Sequence, residues 1–272
     1  MTSSQATDPV IPEPAELESR CDLLRSLHVP GAPFVLPNAW DVASAKAVVA
    51  AGFPVVATTS GGVAAALGYE DHEGAPGEEM LAAAARIIRG VDVPVTVDAE
   101  AGYGMEPADL VAALKGVGAA GCNLEDTNHA AGSLRDPAQH AAWLRHVREA
   151  ASEQSYGLVI NARIDVFLAN LGEGTQGDLV PEALERARAY LKAGADCVYP
   201  IALWEAAALT DFSSAASGPV NVLAIPRAPS LPELAKLRVA RISYGGLLHR
   251  QSTEQFNEAL TSIAADAAAA TS

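Results

Sequence analysis

Cysteine is scarce, three residues in 272. Cys21, Cys122 and Cys197 show no CxxC spacing and fall in or beside apolar segments, which argues for buried reduced thiols rather than disulfides or thiolate metal sites. Basic residues are also few, 18 against 33 acidic, for a net charge of -15. That balance disfavours nucleic acid and anionic membranes as partners. No apolar run approaches the roughly 18 to 20 residues of a membrane span, and MTSSQATDPV has neither a basic n-region nor an apolar h-region. A soluble cytoplasmic protein is the expectation. A Walker motif is missing, as is a GxGxxG turn directly following a strand-like run.

Half of the residues are apolar and alanine is abundant, enough for a large core without metal or disulfide staples. The length is close to the roughly 250 residues of a (β/α)₈ barrel. Residues 1–14 read as a flexible leader and AELESRCDLLRSLH as a helix packed against the barrel. Eight strand–helix pairs follow. The strand-like segments are FVLPNAW, VVATTS, VPVTVDAE, GCNLED, LVINARID, DCVYPIA, PVNVLAIP and RISYGG, each followed by a helical stretch. A doubly wound open sheet shares this alternation, but a count of eight favours closure. The expected fold is therefore α/β, a single (β/α)8 TIM barrel over residues 15–272 with an extra N-terminal helix. Helices ending in AAGF, VGAAG and KAGAD turn straight into the next strand. The longer loops, TSGGVAAALGYEDHEGAPG and EDTNHAAGSLRD, fall on the C-terminal face, where such barrels carry their active sites.

Acidic residues gather at that face. VDAEAGYG brings Asp98 and Glu100 to the third strand end, LGYED brings Asp71, and GCNLED brings Glu125 and Asp126. Carboxylates from adjacent strands repel unless a divalent cation lies among them, and oxygen-only ligands point to Mg2+, with Mn2+ as the substitute. Helix capping is the competing role, expected of Asp41, Asp136 and Asp126. It fits Asp98 and Glu100 poorly, since two acids at one strand end have a single helix terminus to serve.

Arg163, with Asn161 in LVINARID, offers a planar donor fork for a substrate carboxylate, with Asp165 holding it; a plain rim salt bridge to Asp165 is the alternative. NAW, from Asn38 to Trp40, and TTSGG, from Thr58 to Gly62, allow backbone N–H groups to approach a carboxylate, although turn chemistry explains the glycines equally well. Asn128 and His129 follow the fourth strand, where the imidazole could act as acid or base. The other histidines show no ligand spacing, so zinc is not expected.

PNAWD, TTSGGVAAALGYED, VDAEAGYG, NLED and INARID, in this order, resemble the isocitrate lyase and phosphoenolpyruvate mutase superfamily from about Phe34 to Gly246. DAEAGYG is similar to its magnesium motif DADTGYG, with Glu100 replacing an aspartate. The resemblance implies Asp98 as direct magnesium ligand, with Asp71, Glu100 and Glu125 binding through water. It implies a carboxylate cradle at Ser60, Gly61 and Gly62. The substrate-binding set is Trp40, Ser60, Gly61, Gly62, Asp98 and Arg163; the catalytic set is Glu125, Asn128, His129 and Arg163. His129, Tyr103 and Tyr199 stay open as proton donors.

The implied partner is a small 2-oxo or 2-hydroxy acid, and the implied assembly a homodimer or homotetramer exchanging the last helix. EDTNHAAGSLRD lacks the KKCGH-type loop of isocitrate and methylisocitrate lyases. Tyr199 and Ile201 stand where phosphonate-cleaving relatives carry a histidine. The expected function is a magnesium-dependent lyase or decarboxylase that cleaves a carbon–carbon bond of a small 2-oxo or 2-hydroxy dicarboxylate through a metal-stabilised enolate. Phosphoenolpyruvate mutase or phosphonopyruvate hydrolase chemistry and a non-catalytic 2-oxo acid-binding barrel are the alternatives.

Overall fold

The computed structural model describes residues 11–270; the leader expected over residues 1–14 lies mostly outside them. In chain order the elements are α1 Pro14–Ser26, β1 Phe34–Leu36, β2 Asn38–Ala39, α2 Val42–Ala50, β3 Val56–Thr58, α3 Ser60–Leu67, α4 Gly77–Arg89, β4 Val95–Asp98, α5 Pro107–Val117 and β5 Gly121–Glu125. Then come β6 Thr127–Asn128, β7 Ser133–Leu134, α6 Pro137–Glu153, β8 Val159–Ile164, α7 Val166–Ala169, α8 Gln176–Lys192, β9 Cys197–Pro200, α9 Ala206–Ala215, β10 Asn221–Leu223, α10 Leu231–Lys236, β11 Arg241–Ser243 and α11 Leu247–Ala270.

Two parallel ladders, β2-β3-β4-β5-β8-β9 and β1-β11-β10, form one ring of eight strands. β1 and β2 are a single strand interrupted at Pro37, which has no N–H to give the ladder. At the other seam a parallel bridge joins Val198 to Val220. The expected architecture is thus met. Alternation along each strand sorts the side chains: on β5, Cys122 and Leu124 pack among the apolar core while Asn123 and Glu125 point into the barrel, and on β8 Ile160 and Ala162 alternate with Asn161 and Arg163. The helix-to-strand returns are tight because Gly52, Gly118 and Gly194 take φ of 90°, 83° and 105°.

The C-terminal face is more elaborate than the sequence suggests. The long second loop contains α3, and EDTNHAAGSLRD folds into the β6–β7 hairpin. α8 begins at Gln176, whose side chain is tied to Ala202 O, Trp204 N and Glu205 N at 2.6, 2.8 and 2.9 Å. The run GEGTQG, which spells GxGxxG, follows α7 and leads into the first two residues of α8, with no strand before it. All three cysteines are buried and none is in a disulfide, and burial pushes each thiol up to about 12. Among the described residues no helix is long and apolar enough to cross a membrane.

Candidate active site

Strand register decides which polar side chains meet. Asp98 lies beside Asn123, Asn123 beside Asn161, and Glu125 beside Arg163. Asn123 donates to Asp98 Oδ1 at 3.4 Å and accepts from Asn161 Nδ2 at 2.8 Å and from Arg241 Nη2 at 3.1 Å. Asp98 Oδ2 also accepts from the backbone N–H of Ser60 at 3.1 Å, while Thr58 Oγ1 receives the Asp98 N–H at 2.8 Å. The Asp98 carboxylate is therefore aimed from below and from the side.

Glu100 sits just past the strand, in the left-handed region at φ 47°, as do His72, Glu73 and Tyr103 at 67°, 57° and 55°. Such backbone costs about 1–3 kcal/mol per residue and persists where surrounding bonds over-determine it. Here the Glu73 N–H donates to Glu100 Oε2, and the Tyr103 N–H donates to Glu73 Oε1 at 2.6 Å. Burial, reinforced by the Asp98, Asp71 and Glu125 charges, pushes Glu100 up to about 8 against the opposing Glu73 amide.

Arg163 is held by Asp165, Nε to Oδ1 at 2.6 Å and Nη2 to Oδ2 at 2.9 Å, and its Nη1 is in ionic contact with Glu125 Oε2 without hydrogen-bond alignment. Burial works against its charge, but the two carboxylates more than offset that and hold its pKa well above the usual range. Three of its five N–H groups make no hydrogen bond to these carboxylates. Glu125 Oε1 meets His129 Nε2 at 2.5 Å. Burial raises Glu125, opposed by Arg163 and His129, and the Glu125 bond raises His129.

One cavity of about 240 Å³ is lined by Asp71, Asp98, Glu100 and Glu125 together with Asn38, Ser60, Asn123, Arg163, Tyr199 and Arg250. The four expected metal-binding acids thus share one space. Among the described residues no three His, Cys, Asp or Glu side chains are close enough to hold an ion directly. The donor set fits a hard cation that rests on one carboxylate and reaches the others through water. Gly61 fits the same arrangement: a Cβ there would stand 2.7 Å from Asp71 Oδ2.

Other expected residues lie elsewhere. Trp40 lines an apolar groove, packed edge-on to His249 at 5.1 Å. Gly62 lies against Trp40 and Thr59, where a Cβ would clash at 2.7 Å. Asn128 Oδ1 accepts the Ala131 N–H at 3.1 Å within the hairpin. His129 borders an adjoining pocket of about 280 Å³, which shares His72, Arg163 and Leu168 with the first. The Tyr103 hydroxyl donates to Asp98 O at 3.3 Å, whereas Tyr199 lines the cavity itself.

Asp41 and Asp136 cap helices as expected. Asp126 does not: it is fully buried, accepting the Asp165 N–H at 2.9 Å on one oxygen, and Arg186 Nη1 at 3.0 Å and the Tyr190 hydroxyl at 2.7 Å on the other. No helix starts within reach, because β6 follows at once. Asn123, Arg241 and Arg250 are additions to the sequence-derived set. Counting back two residues from Glu125 along an alternating strand finds Asn123, and an arginine inside the apolar run VARIS signals Arg241; nothing marks Arg250.

The family described as Phosphoenolpyruvate phosphomutase matches residues 24–264. An uncharacterized protein of Mycobacterium tuberculosis (strain ATCC 25618 / H37Rv) is 37% identical over 225 residues, 81% of each chain. A protein of Corynebacterium glutamicum (strain ATCC 13032), provisionally named 2-methylisocitrate lyase 2, is 31% identical over 242 residues, 84% of this chain and 76% of its own. A solved structure from Burkholderia cenocepacia J2315, provisionally described as a phosphonomutase, is 39% identical with a TM-score of 0.84, covering 89% of this chain and 99% of that one. With these matches resting on the same barrel that carries Asp98, Glu125 and Arg163, the chain belongs to the phosphoenolpyruvate phosphomutase family, within the isocitrate lyase and phosphoenolpyruvate mutase superfamily.

Proposed function

We propose that this chain is a magnesium-dependent lyase or decarboxylase that cleaves a carbon–carbon bond next to the carbonyl or hydroxyl of a small 2-oxo or 2-hydroxy dicarboxylate. The observation that carries the reading is the gathering of Asp71, Asp98, Glu100 and Glu125 with Arg163 around one small cavity. Asp98 is the residue to hold the cation, with the other three acids acting through water. Magnesium bound there supplies the positive charge that offsets the negative charge an enolate puts on the 2-oxygen.

The chain's own groups then have defined tasks. The remaining N–H groups of Arg163 and the first turn of α3 orient the substrate carboxylate. As the bond breaks, its electron pair moves towards the carbonyl, and stabilisation gained only at that stage speeds the reaction. His129, whose Nε2 meets Glu125 Oε1, and Tyr199, which lines the cavity, are the candidates for protonating the carbon left behind. Turnover of a panel of 2-oxo and 2-hydroxy diacids, followed as pyruvate or glyoxylate release with and without EDTA, tests the reading. Release that persists in EDTA excludes it.

Carbon–phosphorus cleavage is the second reading, favoured by the family's own description and by the Burkholderia structure's provisional name. Tyr199 and Ile201 on the cavity wall weigh against it. Phosphorus NMR on phosphonopyruvate separates the two. Self-association belongs to the same proposal: α11 has no buried residue, and Phe256, Leu260 and Ile263 repeat along it, 64%, 46% and 62% exposed. That stripe matches an apolar groove of about 740 Å³ lined by Trp40, Ala43, Ala47, Val48, Phe53 and Leu248.

A further inference from the structure

The loop that carries His129 is clasped at its root by a residue of α8. Residues 127–135 run from the end of β5 to the start of α6, and the two ends of this loop meet, the Arg135 N–H donating to Asp126 O at 2.8 Å. Arg186 closes the same point from α8. Its Nη1 donates to Asp126 Oδ2 at 3.0 Å and to Arg135 O at 2.9 Å, so a single nitrogen grips both ends. The rest of the guanidinium is anchored one turn back, Nε and Nη2 donating to Glu182 Oε1 at 3.1 and 3.0 Å. Arg186 is 5% exposed and Asp126 0%, so water cannot take over either grip.

Three cavity groups hang from this point. Glu125 and Asp126 are consecutive, and alternation turns the first into the cavity and the second towards α8. His129 reaches back from the loop to Glu125. On its other oxygen Asp126 accepts the Asp165 N–H at 2.9 Å, and Asp165 clamps Arg163. Balancing the buried Asp126 charge requires only the contact to Oδ2. The second contact, to the Arg135 carbonyl, adds nothing to charge balance and instead fixes where the loop returns. Arg135 Nη2 carries the tie onward to Ala101 O at 3.3 Å, in the turn after Glu100.

We infer that Arg186 is a positioning residue: by gripping Asp126 and the Arg135 carbonyl together, it holds the His129 loop and the Asp165–Arg163 clamp in register over the cavity. This rests on the proposed function for the tasks of His129 and Arg163, although the clasp itself does not.

Hydrogen–deuterium exchange of the 127–135 amides is followed in the full chain, in Arg186→Lys, in Arg186→Met and in the double variant Arg186→Met with Asp126→Asn. The double variant is needed because Arg186→Met strands a buried carboxylate, whereas an amide there carries no charge and still offers an oxygen to the Asp165 N–H. Exchange over 127–135 should quicken at least about tenfold in Arg186→Met and in the double variant, and stay slow in β4 and β10, since a buried charge-assisted bond holds only the loop root. The double variant should regain the unfolding midpoint that the single one loses, but not the order of the loop. Arg186→Lys, with three donors on one nitrogen, should restore most of the protection. A loop as protected in the double variant as in the full chain, exchange that rises throughout the chain, or a double variant that does not fold reduces Arg186 to a structural role and overturns the inference.

Turnover of the diacid panel is read in parallel. In the double variant kcat should fall at least about tenfold with KM nearly kept, because His129 is freed while Asp165 stays held. Unaltered kcat with a loosened loop overturns the inference and leaves the lyase reading intact. No turnover in any of the four proteins removes the lyase reading, and the exchange result then decides the inference alone.

Discussion

The carboxylate of Asp165 clamps the guanidinium of Arg163 through two parallel contacts, at 2.6 and 2.9 Å, inside a region from which water is almost excluded. Asp165 is itself fixed, its N–H bonded to Asp126 and its Oδ2 accepting from Thr127 Oγ1 at 2.5 Å. Removing one partner of a buried pair leaves an uncompensated charge and costs about 3–5 kcal/mol. Glu125 remains beside Arg163, so Asp165→Ala should lose about 3 kcal/mol in urea unfolding. It should also raise KM for a substrate carboxylate held by Arg163, because the fork loses its orientation. Unchanged stability and KM would show that Asp165 does not hold Arg163 in solution.

Acid should destabilise the protein through two buried imidazoles. Burial, with Arg241 adding to it, lowers His28 to about 4, and burial with Arg135 and Arg186 lowers His140 to about 3. Both are neutral when folded, whereas the unfolded chain takes up a proton near pH 6.5. Their contribution is therefore complete above that pH and is lost as pH falls through the window from 6.5 towards 3. By linkage His28 alone accounts for about 3 kcal/mol at pH 4. His140 stacks on Trp143 and meets Tyr190 edge-on, and neither ring nitrogen has a hydrogen-bond partner. His140→Phe should fold normally and flatten the pH dependence of the unfolding midpoint between 6.5 and 4. A profile as steep as that of the unaltered chain would remove His140 from this account.

The capping box of α2 allows a smaller prediction. Asp41 Oδ1 accepts the Ser44 N–H at 2.7 Å, and Ser44 Oγ accepts the Asp41 N–H at 3.0 Å. Asp41→Ala is expected to cost about 1 kcal/mol of unfolding free energy with no effect on ligand affinity. A loss of affinity would tie α2 to the cavity more closely than its position suggests.

If the apolar stripe of α11 docks on a second copy, the paired substitutions Phe256→Glu and Ile263→Glu should yield a monomer by light scattering at concentrations where the unaltered chain is a dimer or larger. Folding should be unaffected, because neither side chain packs within its own chain. A monomer before substitution, or an unchanged oligomer after it, contradicts the docking.

The strand–helix alternation repeated eight times and the glycine-ended helices made the barrel readable, because strand, helix and turn preferences are expressed by short segments. VDAEAGYG, GCNLED and INARID likewise placed Asp98, Glu125 and Arg163 at strand ends. What stayed hidden depends on tertiary context. α3 hides in a glycine-rich segment of loop-like composition. Asp126 looks like one more cap until α8 brings Arg186 and Tyr190 onto it. Arg250 lies on a helix whose pattern carries no mark of the cavity it reaches, because ring closure alone sets α11 across from β5.

Calorimetric titration of Mn2+ into the full chain and into Asp98→Ala tests the central claim most directly. One site per chain that disappears in Asp98→Ala, with the unfolding midpoint kept, is the predicted result. Equal binding heats in the two proteins, or no binding in either, would contradict it.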